Sequence, residues 1–256
     1  LADGAAFFDI ENGEVSIKEA SFRLNDQKFS GEGIIHIDES NPLFQGHMTL
    51  DQVDMASILS KEDIAGIVSG DVSFWGNTKD PYVSGNVVVI QGRYQNFQVS
   101  KGSVGFTYGD GQISIPYVKA DAAGGHLEGR GFYNMSSGAF SADVTAENLS
   151  LDSLPISSSP SGVISGSASA QGTYHEGDFY VNKASFTGDG NQLSYQGASA
   201  GHISGFGTYH EGDWNGCAYG RDVSYDGISL DTISGMIASR HGVMQVDYLT
   251  GTSGEG

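Results

Sequence analysis

Two stretches of this chain repeat one another at a distance of 98 residues. The pentapeptide Gly-Glu-Val-Ser-Ile at 13–17 returns as Gly-Gln-Ile-Ser-Ile at 111–115 (111 − 13 = 98), and residues 29–33 return at 127–131 with the same offset (127 − 29 = 98). An internal repeat of this kind indicates an array of similar units, each packed on its neighbours. The sequence therefore predicts an elongated, repetitive β structure rather than a compact enzyme with one active site.

The repeat divides the chain into three predicted units. A first unit at 1–98 and a second at 99–196 are followed by a third, truncated unit at 197–256, in which residues 201–209 resemble residues 125–133. The last four residues, Ser-Gly-Glu-Gly at 253–256, match residues 30–33, so the chain begins and ends inside repeats. We therefore expect it to be a fragment of a longer protein.

Alternation of apolar and polar residues is the dominant local pattern. Apolar residues recur two positions apart with a mostly polar residue between them, as in Val15-Ser16-Ile17. Because a strand directs alternate side chains to opposite faces, this pattern predicts an all-β, antiparallel sheet with one apolar and one solvated face. The predicted apolar-face residues are Val15, Ile17, Ile35, Ile37, Met48, Leu50, Val72, Phe74, Val87, Val89, Val104, Phe106, Ile113 and Ile115.

Glycine-rich segments predict the turns between these strands. The chain has 38 Gly but only 5 Pro, which is typical of many strands joined by tight turns. Residues 109–111 and 188–190 both read Gly-Asp-Gly and predict hairpin turns, because Gly and Asp accept positive φ angles. One short helix is predicted at about 55–63, and its serine-rich counterpart near 157–161 is predicted to be a loop. Gly-x-Gly pairs at 31/33, 129/131 and 205/207 are expected to bend or bulge the sheet.

Charge and cysteine content narrow the possible functions. The formal net charge is −19 with only 12 Lys and Arg, so the chain offers no cationic face for nucleic acid or for an anionic lipid surface. Cys217 is the only cysteine, which precludes an intrachain disulfide. No apolar run approaches the roughly 18 residues of a membrane-spanning helix.

Sequence motifs for chemistry are weak, and neither a cofactor nor a metal site nor an enzymatic activity is predicted. Residues 197–201 match the Gly-x-Ser-x-Gly nucleophile elbow, but a strand pattern follows where the elbow requires a helix. The sequence Thr-Tyr-His-Glu-Gly-Asp occurs at 173–178 and at 208–213, and we interpret it as a repeated hairpin tip rather than a metal site. Trp75 and Trp214 are out of phase with the apolar stripes and are predicted to lie at the surface.

The ordered string of motifs resembles the C-terminal repeats of TamB proteins, within the AsmA-like group of bacterial envelope proteins. Residues 148–154 carry a Leu-x-Leu-x-x-Leu segment, Ser-Gly-Val-Ile-Ser-Gly follows at 161–166, and the first copy adds Gly-Asn-Thr-Lys-Asp-Pro-Tyr-Val-Ser-Gly at 76–85. The Asp-Pro element is missing from the second copy, where residues 174–178 stand instead. The resemblance is strongest between about residues 8 and 172.

The resemblance implies a β-taco, a long sheet curled around an apolar concave groove that the apolar-face residues above would line. Proteins of this group are thought to carry phospholipids across the periplasm of diderm bacteria, between the inner and outer membranes. The resemblance further implies a parent protein anchored in the inner membrane and a link to outer-membrane protein assembly. It also implies a partner that is an outer-membrane barrel of the Omp85 class.

Two questions stay open at the level of sequence. An apolar face could be folded onto itself as a dry core, or held open as a groove for acyl chains. The alternative function is an extracellular β-helix, such as an autotransporter passenger or adhesin, whose coils would repeat every 20–30 residues or so. A polysaccharide-acting β-helix enzyme would need clustered carboxylates on one face, and the sequence does not suggest such a set.

Overall fold

The chain folds into a single antiparallel sheet. The computed structural model describes residues 3–37, 40–59, 64–94, 97–154, 160–240 and 242–254. The described residues form sixteen strands, each hydrogen-bonded to its neighbours in the order of the sequence. The prediction of an all-β, antiparallel fold is therefore confirmed.

The strands are long, and most connections between them are short. They are β1 Asp3–Glu11, β2 Glu14–Leu24, β3 Gln27–His36, β4 Leu43–Asp54, β5 Ile64–Asn77, β6 Pro81–Tyr94, β7 Phe97–Gly109, β8 Gln112–Ala122, β9 Gly125–Asn134, β10 Ala139–Ser150, β11 Ser161–His175, β12 Asp178–Tyr195, β13 Ala198–His210, β14 Asp213–Tyr225, β15 Ile228–Arg240 and β16 Val243–Thr252.

Contacts within the chain define two compact units. Unit 1 comprises Leu1–Ala120 with Phe132–Ser136, and unit 2 comprises Asp121–Gly131 with Ser137–Gly256. In each unit, the main packing contacts of the described strands are with their sheet neighbours, and a short helix in unit 1 and a 3-10 turn in unit 2 add to them. Each unit is therefore described separately below.

Most hairpins turn on a residue pair that ends in glycine. Asp110-Gly111 has φ angles of 50° and 67°, and Gln196-Gly197 has φ angles of 48° and 83°. Positive φ at both central residues is the signature of the type I′ turn, whose twist matches that of the flanking strands. The turn predicted at 109–111 is confirmed. Glu176-Gly177 and Glu211-Gly212 form the tips of two further hairpins, as predicted for the repeated 173–178 and 208–213 segments.

The Gly-Asp-Gly segment at 188–190 is not a turn, and that prediction is wrong. These residues lie in the middle of β12, where Gly188 pairs with Gly166 and Asp189 pairs with Ser165. Asp189 directs its side chain to the opposite face from the two glycines, as strand geometry requires. Gly188 and Gly190 therefore leave space on one face of the sheet and do not reverse the direction of the chain.

One short helix follows β4. It spans Met55–Leu59 as α1, and it begins where Asp54 accepts hydrogen bonds from the Ala56 amide (3.0 Å) and the Ser57 hydroxyl (2.8 Å). This is the capping role for which aspartate is favoured. The rest of the predicted helix, residues 60–63, lies outside the described residues, as do residues 157–159 of the predicted loop. Leu151–Ser153 form a 3-10 turn at the corresponding place in unit 2.

A bulge before each of these segments is built in the same way. The register shifts between Leu50 and Val53 in β4, where Gln52 has a φ of 51° and its amide donates to Ser69 Oγ at 3.0 Å. In β10 the shift lies between Ala146 and Leu149, where Asn148 has a φ of 54° and its amide donates to Ser165 Oγ at 2.9 Å. The serine satisfies an amide that the bulge removes from the ladder.

The sheet buries few of its side chains deeply. Among the described residues, the buried apolar side chains are few, with Val53 (3% exposed) and Leu149 (5% exposed) beside the two bulges, and no large side chain is completely buried. Many large apolar side chains of both units are exposed instead. A single layer with these exposures leaves apolar surface without a covering element.

Candidate functional site

Strand register in unit 1 gathers apolar side chains on one face. Residues paired directly across an antiparallel ladder lie on the same face. The ladder pairs Val15 with Ile35, Met48 with Val72, and Val87 with Val104. We call the face that carries these residues the apolar face. The opposite face of unit 1 carries mostly Ser, Thr, His, Asp and Glu, and we call it the polar face.

The predicted groove residues on β2 to β7 all lie on this apolar face. They are half-buried rather than enclosed, as are Ile113 and Ile115 on β8. Ile37 differs, because it lies just beyond the end of β3 and its side chain is 50% exposed. The structure thus brings the candidates of neighbouring strands together on one continuous surface, with Ile37 at its margin.

Aromatic rings on the apolar face of unit 1 lie over glycines of the neighbouring strand. Phe74 pairs with Gly46, and a Cβ placed on Gly46 would lie 2.6 Å from Phe74 Cε2. Phe106 pairs with Gly85, where a Cβ would lie 2.8 Å from Phe106 Cζ. A ring that covers a glycine protects the backbone hydrogen bonds beside it and fixes the strand register.

Unit 2 contains a groove on one face of its strands. Its volume is about 700 Å³, and residues from all seven strands β10 to β16 line it, including Val144 at one end and Leu249 at the other. Because side chains of such distant strands border one space, the sheet of unit 2 is concave on this side. The size lies within the range of pockets that hold drug-sized ligands.

Small residues form the floor of this groove. Successive ladder pairs join Ala146, Gly166, Gly188, Gly205, Ala218 and Gly235 into one row that crosses six strands. We call this the floor row. Side chains converge on the concave side of a curved sheet, so residues without bulk keep the centre open. With strands about 4.8 Å apart, the row extends over roughly 24 Å.

Larger apolar residues alternate with glycine in the rows on either side. On one side Ile164, Ile203 and Ile233 are separated by Gly190 and Gly220. The row on the other side includes Val144, Phe186 and Ile237, with Gly207 and Gly216 between the last two. No side chain in these three rows is charged. These three rows can therefore accept hydrocarbon, and they carry no polar side chain that would anchor a headgroup.

The opposite face of unit 2 is bound together by hydroxyl groups. Ser169 and Ser185 approach to 2.8 Å between their Oγ atoms, Ser234 Oγ and Thr250 Oγ1 to 2.8 Å, and Thr232 Oγ1 and Thr252 Oγ1 to 2.6 Å. Cross-strand hydroxyl pairs of this kind stabilise neighbouring strands modestly. We call this hydroxyl-bearing face, opposite the groove, the polar face of unit 2.

The two tryptophans lie on different faces. Trp75 is 41% exposed on the polar face of unit 1 and stacks on Tyr82, with ring centroids 5.8 Å apart. Its predicted position at the surface is confirmed. Trp214 pairs with Tyr209 and lines the groove of unit 2, so the same prediction for Trp214 is wrong. The residues of β14 that share a face with Trp214 are glycine and alanine. Because no large apolar residue alternates with the tryptophan there, the sequence pattern did not place it on that face.

The weak chemical motifs remain parts of hairpins. Ser199 of the Gly-x-Ser-x-Gly match lies at the start of β13, and its Oγ is 2.8 Å from Ser224 Oγ. His175 and Asp178 close a hairpin as a ladder pair. Among the described residues, no group of three or more His, Cys, Asp or Glu side chains could hold a metal ion. No described helix is long and apolar enough to cross a membrane.

Sequence reasoning missed the groove residues of unit 2. The apolar-face residues that the sequence predicts end at Ile115, whereas the floor row consists of glycine and alanine. A usable signal was the phase of the polar residues. Ser165, Ser167 and Ser169 alternate along β11 and mark the polar face, so the small residues between them must face the other way.

Comparison with known proteins gives no relative. No protein-family model, curated protein or solved structure matches the chain.

Proposed function

We propose that this chain is a segment of a lipid-conduit protein, whose apolar face shields phospholipid acyl chains as they pass between the inner and outer membranes of a diderm bacterium. The observation that carries the proposal is the groove of unit 2, which is open, uncharged in its three central rows and floored by small residues. The resemblance of the sequence to TamB and other AsmA-like proteins supports the same assignment.

The energetics of the apolar face favour a hydrocarbon guest. An exposed apolar patch larger than a few hundred Å² is unfavourable for a monomer and usually marks an interaction site. Each methylene that an acyl chain buries contributes about 0.8 kcal/mol, without any need for directional contacts. A row of residues that crosses the strands gives such a chain a continuous path along the sheet, which a transport role requires.

The arrangement of strands does not favour the alternative, an extracellular β-helix or adhesin. Coils of a β-helix stack as parallel strands. Here every described ladder is antiparallel and joins consecutive strands, as in a series of hairpins. The lipid-conduit proposal also includes a periplasmic location, a parent protein anchored in the inner membrane, and a partner of the Omp85 class that other parts of the parent would contact.

Two adjacent valines in unit 1 provide a matched test. Val87 lies on the apolar face opposite Val104, whereas Val88 lies on the polar face opposite Ser103 and is exposed. We expect the fragment, expressed in a diderm bacterium and purified without detergent, to carry phospholipid that mass spectrometry detects. Val87→Asp should remove most of the lipid bound to unit 1, whereas Val88→Asp, the same chemical change one residue away, should retain it.

The groove of unit 2 needs its own variant, because lipid bound there would persist in the Val87 variant. Ile203→Asp places a carboxylate beside the floor row, whereas its control, Thr208→Asp, places one on the polar face of the same strand, at a residue that does not line the groove. The variant that combines Val87→Asp with Ile203→Asp should carry little or no lipid. A wild-type fragment that carries no lipid, or a combined variant that carries as much as wild type, would contradict the proposal.

A further inference from the structure

A second cavity lies on the polar face of unit 1, on the side of the sheet away from the acyl-chain surface. Its volume is about 710 Å³, and it extends over strands β2 to β5. Lys18, Glu32, Gln45, His47, Ser73 and Trp75 are among its lining residues. The proposed lipid path does not use these side chains, so the cavity requires a separate explanation.

Strand register arranges the lining residues in two adjacent rows. Gln45 lies between Ile34 and Trp75 in one row, and His47 lies between Glu32 and Ser73 in the next. The two rows are about 7 Å apart, the distance between alternate residues of a strand. The cavity is therefore a trough with polar groups along one side and an aromatic ring at the end of the other.

The tryptophan ring is held in place from outside the trough. Tyr82 of β6 stacks on Trp75 with an angle of 9° between the ring planes, while the trough lies toward β2 to β5. Tyr82 Oη donates to Asp110 Oδ1, and this hydrogen bond raises the pKa of the phenol above its usual 10.0. A neutral, anchored tyrosine thus fixes the orientation of the exposed indole.

The charges in the trough are mostly satisfied within the chain. Lys18 forms an ion pair with Asp9, and His47 contacts Ser73 Oγ and Asp71 Oδ1, each at 3.2 Å. Among the described residues, Glu32 and Gln45 have side chains without an internal hydrogen-bond partner. A trough with no free cation, in a chain of net charge −19, does not attract an anionic ligand.

We propose that this trough binds a neutral oligosaccharide built of pyranose rings. A pyranose presents an apolar face of C–H groups and an equatorial rim of hydroxyls, which match the flat indole of Trp75 and the free groups of Gln45 and Glu32. The amide of Gln45 both donates and accepts, and the carboxylate of Glu32 accepts, so together they can satisfy neighbouring hydroxyls. Trp75 supplies the apolar body that such a ligand needs.

Tryptophan fluorescence tests the proposal directly. The chain has two tryptophans, so Trp214→Phe leaves Trp75 as the only indole. We expect titration of this variant with chitotetraose or cellotetraose to shift its emission saturably, and alginate, a polyanionic polysaccharide, to have no such effect. Isothermal titration of the wild-type protein should give the same affinity, which Trp75→Ala weakens about tenfold and Gln45→Ala also reduces.

The matched control is Trp214→Ala, which removes the tryptophan of the other unit and other face and should leave sugar binding unchanged. Absence of saturable binding of either tetrasaccharide, or binding that Trp75→Ala does not weaken, would overturn the proposal. Stronger binding of alginate than of the neutral sugars would also overturn it. Since Val87→Asp acts on the opposite face of unit 1, it should remove most of the lipid bound to unit 1 without affecting sugar binding.

Discussion

The ring of Phe74 occupies the space where a side chain on Gly46 would have to lie. The two residues pair directly across β4 and β5, and a Cβ on Gly46 would also lie 2.9 Å from the carbonyl oxygen of Glu32 on the other neighbouring strand. Phe44 adds a second ring, with its centroid 6.2 Å from that of Phe74. At Phe74, as at Phe106, a large ring on this face thus lies opposite a glycine of the neighbouring strand.

Replacement of Gly46 tests this complementarity. Gly46→Val should destabilise the protein by about 1–3 kcal/mol, because the added atoms must displace both the Phe74 ring and the backbone of β3. Urea unfolding followed by circular dichroism measures the change. Gly131→Ala is the control, since the nearest atom to its new Cβ, the Ser141 carbonyl oxygen, is 3.5 Å away. Equal losses for the two variants would contradict the account.

Ser69 and Ser165, which accept hydrogen bonds from the bulge amides, should contribute equally to the stability of their own units. Ser69→Ala and Ser165→Ala each leave a bulge amide, that of Gln52 or Asn148, without its acceptor. Each should cost about 1 kcal/mol, the usual value of one hydrogen bond. Hydrogen exchange should accelerate at that amide in particular. Ser103→Ala, which removes no described hydrogen bond, should change stability by less than about 0.5 kcal/mol.

His126 should make stability depend on pH. Its Nδ1 lies 2.9 Å from Asp121 Oδ1 and its Nε2 lies 3.3 Å from Glu128 Oε1, and these hydrogen bonds, that to Asp121 first, raise the pKa of the imidazole above 6.5. A group whose pKa is raised by folding contributes its full stabilisation at pH values below its pKa in the unfolded state. This contribution is lost as the pH rises through its pKa in the folded state.

The stability difference between wild type and His126→Gln isolates this contribution. The difference should favour wild type at pH 5 or so, where the imidazole is charged in both states, and should shrink as the pH rises to about 8.5. Urea midpoints of the two proteins across this range measure it. A difference that stays constant, or that grows with pH, would show that the protonated imidazole does not stabilise the fold.

The sequence predicted the fold class and the apolar face of unit 1 because both depend on period-2 alternation of large residues. Val15, Ile35 and Phe74 each carry that pattern in their own strand. The prediction from sequence failed at residues 188–190. The same tripeptide, Gly-Asp-Gly, forms a turn at 109–111 but lies within β12 at 188–190, where Gly188 belongs to the floor row. Local sequence does not distinguish a glycine needed for positive φ from one needed for lack of bulk.

The groove of unit 2 could not be predicted from the pattern of large apolar residues, because its floor consists of glycine and alanine. Gly166, Gly188 and Gly205 become one row only after the register of three strands is known. The trough on the polar face depends in the same way on the alignment of Gln45 with Trp75. A site formed by residues of several strands can be located only when the strand register is known. A pattern that lies within one strand can be predicted from the sequence.

Photocrosslinking from two aromatic residues tests the central claim most directly, because these residues are similarly exposed on opposite faces of unit 2. Phe186 pairs with Gly207 on the groove side and is 60% exposed, whereas Tyr180 pairs with Thr173 on the polar face and is 56% exposed. Benzoylphenylalanine placed at each position in turn, irradiated in cells and analysed by mass spectrometry, should give phospholipid adducts at position 186 and few or none at 180. Equal adducts at both positions, or none at 186, would contradict the assignment of the groove to acyl chains.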